Sequence, residues 1–125
     1  MADLAYGPYP ARCVDVHDGD TIIFDLDLGF GIRLPGQSWT GKTMLACRVV
    51  GINAPELNTA EGKAARAYAT GLCPPGTPVR VTSHGWDKYG GRFLGSVTLP
   101  EGGDFATLML DAGQAKPYSG TGPKT

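Results

Sequence analysis

Long apolar runs are missing from this 125-residue chain, and their absence excludes a membrane-spanning helix of the usual length. The first ten residues, M-A-D-L-A-Y-G-P-Y-P, have neither a basic start nor an apolar stretch, so no signal peptide is expected and the chain reads as cytoplasmic. Cysteine is scarce. Cys13, Cys47 and Cys73 are scattered, odd in number and form no C-x-x-C, which argues against a zinc ribbon or a disulfide framework. The expectation is reduced, buried thiols. An excess of either charge is also missing: 11 basic and 12 acidic side chains give a net charge of −1. Long-range attraction of a polyanion by the whole molecule is therefore weak, and any phosphate binding must come from a local cluster.

What is present in abundance is glycine, 19 residues, followed by 10 prolines, a composition of short strands and many turns. Residues 1–10 read as an N-terminal arm, 11–118 as one domain, and 119–125 as a disordered polar tail. A first strand is expected from Ala11 through Val16, then a turn at His17-Asp18-Gly19-Asp20. From Thr21 to Leu28 apolar residues alternate, with Ile22, Phe24, Leu26 and Leu28 on one face. Gly29-Phe30-Gly31 breaks this strand. Another is expected from Thr43 to Ile52, ending where Pro55 fixes its own φ and keeps Ala54 out of the helical region.

Thr59 is a candidate N-cap for a helix from Ala60 to Leu72, stopped by the Pro74-Pro75-Gly76 run. Two further strands, from Val79 to Ser83 and from Phe93 to Leu99, flank a hairpin loop. Asp104 caps a second helix with Phe105, Leu108, Met109 and Ala112 on one face. Five strand segments and two helices in one small domain predict a mainly β fold: a closed or nearly closed barrel with two flanking helices.

The stretch from Gly36 to Thr43, G-Q-S-W-T-G-K-T, matches the phosphate-loop pattern G-x-x-x-x-G-K-T letter for letter. That pattern binds nucleotides only between a strand and a helix. Here β-branched residues follow it and break at Gly51, with no repeated βαβ unit, so it reads as a loop between strands.

The ionisable residues in turns beside strands carry the chemistry: Asp18, Asp20, Arg48, Glu56, Asp87, Lys88 and Arg92. Each alone is an ordinary solvated turn residue. Their order is D-G-D-T at 18–21, R-x-x-x-x-N-x-P-E at 48–56, and D-K-Y-G-G-R at 87–92. With A-E-G-K-A-A-R-A-Y-A at 60–69 and M-L-D-A-G-Q-A-K-P-Y at 109–118, it resembles the staphylococcal nuclease (thermonuclease) family over residues 11–118.

That resemblance implies a five-stranded OB-type barrel with two flanking helices, acting as a Ca²⁺-dependent nuclease on DNA and RNA with low sequence specificity. It implies Asp20, Asn53 and the Ala54 carbonyl as metal ligands, with Asp18 holding a metal-bound water. It implies Glu56 as the general base and Arg48 and Arg92 as the phosphate-gripping pair. Lys88, Tyr89 and Tyr118 would contact the substrate's neighbouring phosphates or bases. A monomer with no membrane partner is expected. The chain departs from the pattern at Asn53, where the family usually has Asp; one negative charge fewer implies weaker calcium binding. Gly91 is one residue extra before Arg92, and the family's best-known members are strongly basic. The alternative is a non-catalytic OB-fold module that holds single-stranded nucleic acid by stacking and a basic groove.

Overall fold

A computed structural model describes residues 5–34, 38–39, 42–43, 46–86 and 92–118. Five strands form the barrel: β1 (Tyr6–Asp18), β2 (Thr21–Gly29), β3 (Ala46–Val49), β4 (Pro78–Trp86) and β5 (Arg92–Thr98). The order around it is β1-β2-β3-β5-β4, and β4 returns to β1. All pairings are antiparallel except β3 with β5, which runs parallel from Ala46↔Arg92 to Val49↔Gly95. A parallel step needs a long crossover, and the chain between β3 and β5 supplies it with a helix and β4. The result is the expected mainly β, OB-type barrel with two helices, closed so that every barrel strand has two neighbours.

β1 begins at Tyr6, well before the expected start at Ala11. Tyr6↔Ser83, Tyr9↔Val81 and Pro10↔Arg80 place residues 6–10 in the ladder with β4, so this part of the expected arm is barrel wall. The sequence Gly-Pro-Tyr-Pro reads locally as punctuation. Yet proline's fixed φ is compatible with extended backbone, and β4 would otherwise have an open edge. The same strand pairs β2 with its C-terminal half, Ala11↔Leu26 to Asp18↔Thr21, with register shifts after Cys13 and after Val16. The first shift moves the buried side from Ala11 and Cys13 to Val16, a step of three where a flat strand steps by two.

The strand expected from Thr43 to Ile52 is interrupted. β3 ends at Val49, a turn follows at Val50 and Gly51, and Ile52–Asn53 pair separately with Lys116–Pro117 near the end of the described chain. Ile32–Leu34 fold back on β2 as a hairpin, Leu26↔Leu34, and are exposed. The residues matching the phosphate-loop pattern, and those expected as the tail, lie largely or wholly outside the described ones.

Helix α1 (Ala60–Leu72) begins where expected, the Thr59 hydroxyl accepting from Gly62 N at 3.0 Å. Ala65 and Ala69 are fully buried, and such small side chains let α1 lie close to the barrel. Helix α2 (Phe105–Asp111) is capped by Asp104, which accepts from Thr107 N at 3.1 Å. It spans only seven residues, so Phe105 and Met109 are buried, Leu108 is half-buried and Ala112 is exposed beyond its end. The core they complete holds Ile22, Phe24, Val49, Ile52, Val81 and Val97, all fully buried. Among the described residues no helix is long and apolar enough to cross a membrane.

Both helices converge on the β1–β2 turn. A Cβ on Gly19 would lie 2.7 Å from Ala54 Cβ, 3.1 Å from Ala65 Cβ and 3.3 Å from Met109 Cε. Only glycine permits that approach, and it fixes the two aspartates on either side of Gly19 against the chain that follows β3.

Candidate active site

Asp20 is the pivot. It follows Gly19 in the tight turn, where Asp18 Oδ1 accepts from Asp20 N at 3.1 Å and sets the turn. The Asp20 side chain is fully buried. Its Oδ1 accepts from the Thr21 hydroxyl at 3.2 Å and its Oδ2 from Ala54 N at 2.9 Å. Arg48 Nη1 lies 3.6 Å from Oδ2. A buried carboxylate needs this much: hydrogen bonds on each oxygen and an opposite charge beside it. The bond to Ala54 joins the D-G-D-T turn directly to the N-A-P-E turn.

Arg48 is held from the other side. It lies on β3 opposite Thr21, and its Nη1 donates to Val49 O at 3.0 Å and Ile52 O at 2.9 Å, bridging the Val50-Gly51 turn. The Tyr118 ring lies 5.6 Å from its guanidinium carbon, within the range of a cation–π contact. Tyr118 is positioned by its own N–H, which donates to Gly51 O at 3.0 Å. Arg92 opens β5 and is half-buried. Its Nη1 reaches the Thr21 hydroxyl at 3.4 Å, so Thr21 Oγ1 stands between Arg92 and Asp20. This is a long, weak bond, but it brings the second arginine to the same network.

Asn53 is buried, and its side-chain oxygen has no hydrogen-bond partner. An orphaned buried acceptor costs about 1–3 kcal/mol unless a donor or a cation meets it. Asn53 lines a cavity of about 620 Å³ together with Glu56, Thr59, Glu61, Gln114 and Lys116. Glu56 is exposed, and its backbone oxygen accepts from Thr59 N at 3.0 Å and the Thr59 hydroxyl at 2.6 Å, which ties it to the start of α1.

The structure thus gathers Asp18, Asp20, Arg48, Ala54, Arg92 and Tyr118 into one connected network. Asn53 and Glu56 share a cavity that Ala54 also lines. Lys88 and Tyr89 lie outside the described residues. Two participants carry no role that the sequence alone announces. Thr21 belongs to the D-G-D-T motif, and its alcohol is what couples Asp20 to Arg92. Lys116 pairs with Asn53 across the short two-stranded ladder, a contact that no local pattern announces.

Among the described residues no group of three or more His, Cys, Asp or Glu side chains is placed to hold a metal ion. The donors at hand are one buried carboxylate, Asp20, and the orphaned amide oxygen of Asn53. These hard oxygen donors suit Ca²⁺ in kind, and the orphaned acceptor is the atom a cation would satisfy. The set is poor in negative charge, and Arg48 partly neutralises Asp20.

No family model matches the chain, and no curated protein matches it. What the fold defines is a closed five-stranded OB-type barrel whose polar network lies at the β1–β2 turn and the end of β3.

Proposed function

We propose that this chain is a Ca²⁺-dependent phosphodiesterase of the staphylococcal nuclease type, cleaving DNA and RNA with little sequence preference as a cytoplasmic monomer. The observation that carries the reading is the bond from Ala54 N to Asp20 Oδ2. It unites two separately placed motifs around a buried carboxylate that Arg48 approaches directly and Arg92 through Thr21, while the orphaned Asn53 oxygen belongs to the residue next to Ala54. The place is also apt, since OB barrels bind nucleic acids with the β1–β2 and β4–β5 loops, although this support is analogy by fold.

In this reading Asp20, Asn53 and the Ala54 carbonyl would hold the calcium ion. Bound there, it would supply Lewis-acid stabilisation of a phosphoryl oxygen and a more acidic water. Arg92 presents a planar, permanently charged fork to the phosphate, and Arg48 adds positive charge from its buried position. Both stabilise charge that grows on the phosphoryl oxygens as the bond breaks. Glu56, exposed at the rim of the cavity, accepts a proton from the attacking water. These groups address phosphate and leave base edges unread, hence the low specificity.

The test is cleavage of denatured and duplex DNA and of RNA with calcium, and again with EGTA. Wild-type protein should cut only with calcium, and Glu56→Gln should bind single strands in EGTA or calcium yet lose at least a hundredfold in rate. Binding without cleavage by the wild-type chain under any divalent ion would replace the enzyme with a binding module.

A further inference from the structure

Away from this site, two of the three cysteines meet. Cys13 lies on β1, and Cys73 is the C-cap of α1, 60 residues later. The Cys13 thiol donates to the Cys73 carbonyl oxygen at 3.2 Å, which brings the Cys13 sulfur against the Cys73 residue. The backbone fixes the approach. Cys13 N donates to Thr77 O at 2.9 Å, Gly76 N donates to Cys13 O at 2.8 Å, and Cys73 N closes the helix on Ala69 O at 2.9 Å. Both side chains are buried, and the third thiol, Cys47, lies on β3.

We propose that Cys13 and Cys73 are a disulfide-forming pair, a site of reversible oxidation that cross-links β1 to the end of α1. The arrangement assigns separate roles to the sulfurs. Cys13 is the hydrogen-bond donor, and that bond together with burial holds its proton on. The bond ends on the Cys73 carbonyl, so the Cys73 thiol proton is not held in that way, and the neighbouring Cys13 side chain favours the Cys73 thiolate against burial's opposing effect. Cys73 is therefore the nucleophile and Cys13 the resolving thiol.

With a small disulfide such as oxidised glutathione as oxidant, the Cys73 thiolate attacks one sulfur. The glutathione S–S bond breaks, and one glutathione thiolate leaves. That thiolate, or solvent base, takes the Cys13 proton. Cys13 sulfur then attacks Cys73 sulfur in the mixed disulfide and expels the second glutathione thiolate. Two protein thiols have become one disulfide, and one glutathione disulfide has become two glutathione thiols. Since both sulfurs are covered, the oxidant enters only when the last turn of α1 and the Pro74-Pro75 segment open, and the rate follows that local opening. The bond closes a long loop and so restricts the unfolded chain far more than the folded one.

The full chain is incubated with millimolar oxidised glutathione, quenched with acid, alkylated and digested without reductant. The expected product is a Cys13–Cys73-linked peptide with the loss of two hydrogens and Cys47 still alkylated after unfolding. The link should persist in Cys47→Ser and vanish in Cys73→Ser. Oxidised protein should melt higher by on the order of 10 °C, reversed by dithiothreitol. The idea is overturned if all three cysteines remain thiols after long exposure, or if oxidation stops at mixed disulfides or joins Cys47. The wild-type peptide map decides this even if a serine variant fails to fold.

Discussion

Helix α1 meets the Glu56 turn at Gly62, and a single methyl group there tests the position of both. A Cβ on Gly62 would fall on the Glu56 carbonyl oxygen, 2.5 Å from its carbon and 2.9 Å from Leu57 Cα. All three are backbone atoms, so nothing flexible can move aside. The same Glu56 oxygen accepts from Thr59 N and the Thr59 hydroxyl, so lifting α1 to make room weakens its cap. Ala is favoured over Gly in helices by about 1 kcal/mol. Against this stand about 1–3 kcal/mol for overpacking and about 1 kcal/mol for a weakened hydrogen bond. Gly62→Ala should therefore destabilise the protein by about 2 kcal/mol net. Gly71, in the last turn of the same helix, is the control. Nothing lies within 4 Å of its Cβ position, and Gly71→Ala should stabilise by roughly 0.5–1 kcal/mol. Urea denaturation followed by far-ultraviolet circular dichroism measures both, with unchanged slopes expected. Stabilisation of Gly62→Ala equal to that of Gly71→Ala would show that α1 does not ride against the Glu56 carbonyl. If Glu56 acts on substrate, Gly62→Ala should also lose more activity than its folded fraction explains.

Three further outcomes follow from named groups. Asn53→Asp should bind calcium roughly tenfold more tightly by calorimetry, yet melt lower than wild type in EGTA because a buried charge replaces a neutral acceptor; no gain in affinity removes position 53 from the metal site. Arg92→Lys should leave stability within about 0.5 kcal/mol while cutting the cleavage rate at least tenfold; equal rates would separate Arg92 from the phosphate. Burial pushes the Cys47 thiol up from its ordinary 9.0, with Arg48 pulling weakly the other way. The unfolded chain therefore releases this proton while the folded chain keeps it, so stability present below pH 9 falls as pH rises above it. The slope is at most about 1.4 kcal/mol per pH unit from this group, and Cys47→Ala should melt with a shallower alkaline decline; an unchanged decline would show that Cys47 is not the titrating group.

Local chemistry was the legible part of the fold. Thr59 and Asp104 are N-caps because their side-chain oxygens satisfy helix N–H groups, and that requirement is written within four residues. Tyr6–Pro10 read locally as an arm because their strand character comes from β4, about 70 residues away, against their own local tendency. The step from Cys13 to Val16 and the break at Val50-Gly51 are likewise properties of closing a barrel from bent strands. At the site, the residue types were legible as separate motifs, whereas the bond from Ala54 to Asp20, spanning 34 residues, and the role of Thr21 exist only once the turns meet.

That meeting also determines which residues can report on chemistry. Arg48 satisfies Val49 O and Ile52 O across the Val50-Gly51 turn and stands beside the buried Asp20 carboxylate. Removing it takes a donor from two carbonyls and the neighbouring positive charge from a buried anion, and breaking a buried pair costs about 3–5 kcal/mol. Loss of activity on changing Arg48 or Asp20 would therefore follow from a collapsed turn as readily as from a lost catalytic contact. Arg92 is half-buried, and Glu56 is exposed, its side chain outside the core. Asn53 is buried but its side-chain oxygen has no hydrogen bond to lose. Arg92 and Glu56 are thus less buried than Arg48 and Asp20, and the Asn53 oxygen contributes no hydrogen bond to the fold. Their variants, in a chain shown to be folded, are the ones whose rates and calcium affinities speak about phosphodiester cleavage.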